Sequence, residues 1–417
     1  MRLLFLTEYF YPYIHGGGEI SIQELAKSLS LHGKVVHVLT PNYGTVSFEN
    51  YEGVKIHRYF FGKKLKNYFD QLSPSWYFNP IYFSILFVQI IKEVWSNKIQ
   101  IIHIHGLFSL PSAILAGKIL GVPVVVTFRD AQLLCNYGFC LTKNQFGHAC
   151  NLKKYFLEDF AAYWQDKVQS KNVRTFIVQI IFALIGRVRT KIMQMFAKQA
   201  NIMLVSSFAQ QKTFAANGFK AKVIYNIYNF PEKFPASVPV GKIILYATKM
   251  SSGKGLDLLI KSLPQVLRTY PDVKLLAVGS GDKKYYEEMC HNLGVAQKVE
   301  ILGRKDPEEV MNIRKNVLLE VCPSVYPESF GRTALEALAN GVPAVVSNRG
   351  GLTDIVEDGK TGYITDPVVK ELSEAIIKGI KNNKILRQNI RKEYANLSYK
   401  FSKKPTEDYL KLYKSLL

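Results

Sequence analysis

The chain is poor in cysteine and in acid. Five cysteines in 417 residues are an odd number and too few for a disulfide framework, which suits a reducing compartment, so the cytoplasm is the expected location. Aspartate and glutamate total 33 against 54 lysines and arginines, a formal net charge of +21. That surplus favours anionic partners generally, whether nucleic acid, a membrane surface or phosphate-bearing substrates. No low-complexity tract is present, and with 48% hydrophobic and 21% charged residues the composition excludes a mainly disordered, collagen-like or coiled-coil chain. Long apolar runs are missing too. The opening MRLLFLTEYF is cut by Glu8 and no small-residue cleavage site follows, so it reads as a first strand rather than a signal peptide. Pro74, Asn79 and Pro80 interrupt the uncharged Gln71–Ile91, leaving Ile81–Ile91 too short to cross a hydrocarbon layer of about 30 Å as a helix. Nor does any Asp-x-Asp pair occur, which argues against a nucleotide held through a carboxylate-bound divalent ion.

What is present is an alternation of β-rich and helical patterns. Leu3–Thr7, Val35–Thr40, Ile101–His105 and Val124–Thr127 read as strands, with helices at Ser21–Leu31 and Ala113–Leu120. The pattern restarts with strands at Ile243–Thr248, Lys274–Val278, Val299–Leu302, Leu318–Val321 and Ala344–Ser347, and helices at Leu256–Thr269, Asp306–Asn312 and Thr333–Ala339. Such βα repeats form parallel sheets covered on both faces. Asn226, Asn229, Pro231, Pro235 and Pro239 punctuate the stretch between the halves as a linker would. The expected fold is therefore α/β, two Rossmann-like doubly wound domains facing a central cleft: residues 1–225, a linker over 226–241, a second domain over 242–395, and a C-terminal helix in 396–417 packing back on the first domain. In such sheets ligands bind beyond the carboxyl ends of the strands.

One stretch departs from a plain sheet unit. Lys167, Lys171, Arg174, Arg187, Arg189, Lys191 and Lys198 punctuate the apolar Phe176–Ile185 and Ile192–Phe196, with no acidic residue between Lys167 and Lys198. One reading is a basic amphipathic helix lying on an anionic membrane surface, which would make the protein peripheral at the inner face of the membrane. The other is an ordinary core helix with a basic polar face.

The richest segment chemically is CPSVYPESFGRTALEALANG, Cys322–Gly341, which leaves a strand, turns through two prolines and starts a helix near Arg332. Glu328 falls in the turn and Glu336 on the helix. A carboxylate at a helix start can hold sugar hydroxyls, while free amides around Ser329, Phe330 and Gly331 face an anion. At Gly331 the backbone can come close to a ligand. The bland alternative is a solvated turn and a surface helix. In YATKMSSGKGL, Lys249 and Lys254 flank a small-residue loop between strand and helix, where two ammonium groups can neutralise a departing diphosphate; it is not a Walker loop, since GxxxxGK[ST] is absent. Gly16 and Gly17, within His15-Gly16-Gly17-Gly18-Glu19, precede an amphipathic helix and offer a third phosphate approach by backbone amides, or simply a flexible turn.

Strand ends carry further polar groups. His103 and His105 lie on one face of their strand by alternation, so that one is buried structure and the other reaches toward a cleft. Arg129 and Asp130 follow Val124–Phe128. Cys135, Cys140, His148 and Cys150 make a conceivable four-ligand zinc set, although the spacing is not that of a standard finger.

Taken together, these segments resemble glycosyltransferase family 4, the retaining GT-B nucleotide-sugar transferases. The resemblance rests on an E-x7-E signature at Glu328 and Glu336 in PESFGRTALEA and continues through GVPAVVSNRGGLTDIVEDGKTGYI. It implies that Glu328 contacts the donor sugar and Glu336 the ribose hydroxyls, with Ser329, Phe330 and Gly331 lining the donor pocket. Lys249 and Lys254 would grip the diphosphate, Gly16 and Gly17 lie near it, and His105 sits near the reacting sugar. Lys249 stands where arginine is common, a point charge in place of a fork. In TFRDAQLLC, Arg129 replaces a histidine before Asp130, and Ala131 and Gln132 replace aromatics. Arg129 and Asp130 are accordingly assigned to the acceptor, Arg129 as a contact to an acidic or pyrophosphate-bearing one.

The resemblance implies a retaining, metal-independent transfer of sugar from a nucleoside diphosphate sugar, itself a substrate, with no cofactor. The acceptor would be a lipid-linked, polysaccharide or small-molecule hydroxyl, in polysaccharide or glycolipid synthesis. Two rivals remain: a nucleotide-sugar epimerase on the same fold, and a basic nucleic-acid-binding protein. The second finds no helix-turn-helix, zinc-finger or RNA-binding signature in the chain, so no nucleic acid is expected as a partner.

Overall fold

A computed structural model describes residues 1–68, 70–73, 76–135, 151–164, 173–235 and 242–417. The chain divides into two compact units, Met1–Tyr228 with Phe401–Leu417, and Asn229–Lys400. Cys140, His148, Cys150, Lys167 and Lys171 lie outside the described residues, as does 236–241 of the expected linker.

Unit 1 is built on strands β1 (Arg2–Leu6), β2 (Val35–Asn42), β3 (Phe48–Tyr51), β4 (Val54–Phe60), β5 (Ile101–Ile104), β6 (Val124–Phe128), β7 (Ile202–Val205) and β8 (Lys222–Val223). Their order in the sheet is β3-β4-β2-β1-β5-β6-β7-β8, parallel throughout except that edge strand β3 runs antiparallel to β4. β1 sits centrally, with Leu3 registered on Val36 to one side and on Ile101 to the other. Alternation turns Leu4 and Leu6 to one face and Leu3 and Phe5 to the other, and each face has its own core. Helices α1 (Gly17–Leu31), α2 (Pro80–Asn97), α3 (Leu110–Leu120), α4 (Val173–Ala197) and α5 (Phe208–Ala216) flank the sheet. α1 begins four residues before the expected Ser21, so Gly16 is its N-cap and Gly17 its first residue. The triple glycine is a helix start and not a free turn.

Unit 2 carries β9 (Ile243–Ala247), β10 (Lys274–Val278), β11 (Val299–Gly303), β12 (Leu319–Cys322), β13 (Ala344–Ser347) and β14 (Gly362–Thr365) in the order β11-β10-β9-β12-β13-β14, all parallel. Its helices are α6 (Leu256–Thr269), α7 (Lys283–Asn292), α8 (Pro307–Arg314), α9 (Arg332–Ala339), α10 (Leu352–Ile355), α11 (Val369–Lys381) and α12 (Asn383–Ser398). In α6 the apolar spacing Leu256, Leu259, Ile260, Leu263, Val266 puts one buried stripe on the sheet. α8 starts on Pro307 behind Asp306, whose backbone N–H donates to Glu309 at 3.0 Å in a reciprocal cap. α13 (Lys404–Lys414) returns to unit 1, where Tyr409, Leu412 and Tyr413 are buried in the core that holds Leu3 and Phe5.

Both sheets reverse winding beside their first strand, so β1/β5 and β9/β12 are switch points. The crevices at their carboxyl ends are where a doubly wound sheet takes ligands.

Candidate active site

In unit 2 the crevice is made by two loops laced together. The backbone N–H groups of Val325 and Tyr326 donate to the carbonyl of Gly253, at 3.0 and 3.2 Å. Gly255 (φ +75°) approaches Pro323 so closely that a Cβ there would lie 2.0 Å from its carbonyl oxygen. This closeness delivers Lys254 onto the Glu328 turn: its Nζ donates to Glu328 Oε1 at 2.6 Å, and Ser324 Oγ donates to the same oxygen at 2.6 Å. The double glycine downstream has a matching reason. A Cβ on Gly350 (φ +68°) would fall 1.9 Å from the carbonyl oxygen of Glu328, and the Gly351 N–H donates to that oxygen at 2.7 Å.

Gly331 (φ +96°) is the N-cap of α9 and supplies no side-chain cap, so the helix start presents its positive end and amides beside the pair. Ser329 lies in the same turn and Phe330 is buried behind it. Glu336, one turn into α9, is gripped from both sides. Arg314 Nη2 meets its Oε2 at 2.8 Å and Arg332 Nε donates to its Oε1 at 3.0 Å. Arg314 also forms a two-pronged bond to the fully buried Glu320, at 2.9 and 3.0 Å. The second carboxylate of the E-x7-E pair is thus fixed in place with lone pairs to spare. Lys249 stands exposed in the loop after β9 and forms no ion pair among the described residues. Of the two expected lysines, the structure brings only Lys254 to Glu328.

Unit 1 has its own cavity, about 250 Å³, at the carboxyl ends of β1, β5 and β6, lined by Glu8, Glu19, Tyr77, His105, Arg129 and Asp130 among others. The two imidazoles of β5 and its loop differ sharply. His103 has both ring nitrogens occupied, by Tyr413 Oη at 2.6 Å and Thr127 Oγ1 at 2.8 Å. His105 has Nδ1 on Arg129 Nη1 at 2.8 Å, while its buried Nε2 has no partner among the described residues. Burial, then His103 and Arg129, hold its basicity well below the ordinary histidine range.

Glu8 was missed in the sequence, where it only marks the end of an apolar run. It leaves β1 beneath Gly106, where a Cβ would lie 1.7 Å from its carboxylate, and its Oε1 accepts the Phe108 N–H at 3.2 Å. Burial, with Asp130 and Glu19 nearby, pushes its carboxyl up to about 7, so it exchanges its proton near neutrality. Asp130 opens to water at the mouth but is ringed by protein, which raises it to about 6. The signal for Glu8 was positional: a charged residue just past the central strand of a doubly wound sheet. At the start of α1, the Gly16 N–H is already taken by Glu19 Oε2 at 3.0 Å, and Gly17 is exposed. The described His and Glu side chains that most resemble a metal set, His37, His57 and Glu93, have ligand atoms within 4.8 Å. His37 Nδ1 lies 3.0 Å from His57 Nε2 and His57 Nδ1 lies 3.3 Å from Glu93 Oε1, beside Arg2 and Lys55, while His37 Nε2 has no partner among the described residues.

Residues 15–230 match the model of glycosyltransferase family 4, and residues 232–396 that of the glycosyl transferases group 1. The chain is a family 4 glycosyltransferase. It is 25% identical over 388 residues to an uncharacterized glycosyltransferase of Methanocaldococcus jannaschii, covering 88% of this chain and 85% of that one. A local match of 130 residues to spore coat protein SA of Bacillus subtilis reaches 35% identity, over 30% of this chain and 34% of that protein. The glycosyltransferase has the GT-B fold. Sucrose-phosphate synthase of Thermosynechococcus elongatus superposes with a TM-score of 0.70 at 17% identity, covering 100% of this chain and 98% of the other. The Anabaena protein HepE, crystallised with UDP and glucose, superposes with a TM-score of 0.66 at 18% identity, with both chains fully covered. Among the described residues no helix is long and apolar enough to cross a membrane.

Proposed function

We propose that this glycosyltransferase moves a sugar from a nucleoside diphosphate sugar to a hydroxyl with retention of anomeric configuration and without a metal ion, in polysaccharide or glycolipid synthesis. The observation that carries the reading is the 2.6 Å contact of Lys254 with Glu328 beside the start of α9. As the glycosidic bond breaks, negative charge gathers on the diphosphate. An ammonium keeps two further protons for it while Glu328 holds the third, and helix-start amides add their dipoles. Glu336 takes the ribose hydroxyls. In unit 1, Asp130 and the cavity around it receive the acceptor, whose proton passes to a diphosphate oxygen; no protein nucleophile is assigned. The UDP and glucose bound by HepE support a nucleotide-sugar donor. Slow hydrolysis tests the reading without knowledge of the acceptor. Incubated in EDTA with a panel of nucleotide sugars, the protein should release, from one of them, free sugar with the donor's anomeric configuration, read by NMR. Inverted sugar would contradict retention, and an epimerised nucleotide sugar would favour the epimerase.

A second reading concerns where the acceptor resides. On α4, Phe176, Ile177, Ile181, Phe182, Ile185 and Val188 are all exposed, beside the exposed cations Arg174, Lys191 and Lys198. Arg187, expected at headgroup level, is buried on the Tyr155 ring at 5.4 Å and belongs to the packing. Apolar side chains flanked by cations suit an anionic leaflet. Flotation should require anionic lipid and should fall when Arg174, Lys191 and Lys198 become glutamine or when Phe182 and Ile185 become serine. Protein that stays with the lipid-free fraction, or floats equally on neutral vesicles, would count against the membrane reading.

A further inference from the structure

Arg129 stands where the family resemblance leads one to expect a histidine, and one of its N–H groups is directed at a neighbouring side chain. Its Nη1 lies 2.8 Å from Nδ1 of His105. A guanidinium has only protons to give, so Nδ1 must be the acceptor and carry the lone pair. The remaining ring proton of a neutral imidazole then sits on Nε2. That nitrogen is buried, has no partner among the described residues, and belongs to a side chain lining the unit 1 cavity.

We infer that Arg129 is a positioning residue that locks His105 as the neutral Nε2–H tautomer, so that His105 presents a hydrogen-bond donor to a substrate hydroxyl oxygen and never serves as a general base. The only ring nitrogen able to take a proton is already covered by a permanent cation. Protonation would also place an imidazolium against that cation and beside the His103 ring, whose centroid is 4.0 Å away. His103 offers no relief, since its own nitrogens are committed to Tyr413 and Thr127. The surroundings favour the same state, because burial disfavours the charged ring. The acids lining the same cavity, Glu8, Glu19 and Asp130, are left to accept hydrogen bonds from hydroxyl groups while His105 donates one. The cavity thereby offers both halves of the hydrogen bonding that a sugar or polyol needs. Only one N–H of Arg129 is used on His105, and its Nε has no partner among the described residues, so the orienting role stands beside the acidic or pyrophosphate contact expected from the sequence.

This inference rests on the reading that the unit 1 cavity takes a substrate, but its test does not need turnover. In histidine-15N-labelled full-length protein, with the His105 signals identified by their loss in His105→Gln, Nε2 should be the protonated nitrogen and Nδ1 the bare one. The ring should remain neutral between about pH 5 and 8, where a free histidine titrates. Arg129→Met should lose the single tautomer, and Arg129→Lys should restore it. A proton on Nδ1 of the wild-type protein, or an imidazolium forming in that range, overturns the inference whatever the variants do. Normal transfer activity alongside either result would leave the transferase reading standing. The reverse outcome, the correct tautomer with His105→Gln as active as wild type, overturns the donor role alone.

Discussion

Replacing Arg314 by methionine is expected to destabilise unit 2 by about 3–5 kcal/mol, because it strands a fully buried carboxylate. Glu320 has no exposure and both of its oxygens are bonded by Arg314. Burial already raises the Glu320 pKa, and Arg314 is what restrains it. Without the arginine it will take up a proton in the folded state at higher pH than in the unfolded chain. A carboxyl raised in this way contributes stability in acid that is lost as pH climbs through its folded value. The deficit of Arg314→Met should therefore be small at low pH and widen toward neutrality. Chemical denaturation at several pH values checks this, and Glu320→Gln added to Arg314→Met should recover much of the loss. Because Arg314 also holds Glu336, nucleotide binding should weaken in the same variant, a link between fold and function that a surface ion pair would not show. A pH-independent deficit would mean that Glu320 is not the group left stranded.

Lys254→Ala should lower kcat about 10²–10³-fold, the usual effect of deleting one preorganised donor to developing negative charge, with a much smaller change in KM. The ammonium is pre-placed by the Gly253 and Gly255 contacts and by its bond to Glu328, so little reorganisation is left for the reaction itself. Removing it also leaves Glu328 with Ser324 as its remaining hydroxyl donor. Lys254→Ala and Glu328→Gln should accordingly be less than additive in combination. Lys249→Ala should do much less, since that side chain is exposed and unpaired among the described residues. Steady-state kinetics with a single donor separates these outcomes; equal losses at Lys249 and Lys254 would remove the basis for distinguishing them.

Much of this was legible in the chain because it is local. Parallel strands buried on both faces announce themselves as apolar runs, and Lys274–Val278, Ala344–Ser347 and Leu256–Thr269 occur with the bounds their patterns suggest. The Glu328 turn and the α9 start were legible too, since proline, glycine and a helical stripe stand in one short segment. Other elements were lost where the local signal was weak or divided. β3 is a four-residue edge strand, and α2 hides in a run that looked like a truncated membrane segment. Pairings between strand ends were out of reach for a different reason. His105 and Arg129 meet because β5 and β6 are neighbours in register, and Glu8 reaches Gly106 because β1 lies on the other side of β5. No spacing along the chain encodes such contacts. The grip of Arg314 on Glu320 and Glu336 is likewise tertiary, joining the end of α8 to β12 and α9.

On the proposed function, Lys254 and the start of α9 hold a diphosphate without a metal ion. Thermal unfolding of the full-length protein in EDTA, with uridine, adenosine and guanosine mono- and diphosphates, addresses it most directly, since a ligand raises the midpoint according to its affinity for the folded state. One base should give a diphosphate shift clearly larger than its monophosphate shift, and Lys254→Ala should shrink that difference. Equal shifts for mono- and diphosphate with every base, or a diphosphate shift that appears only with added divalent ion, would contradict it.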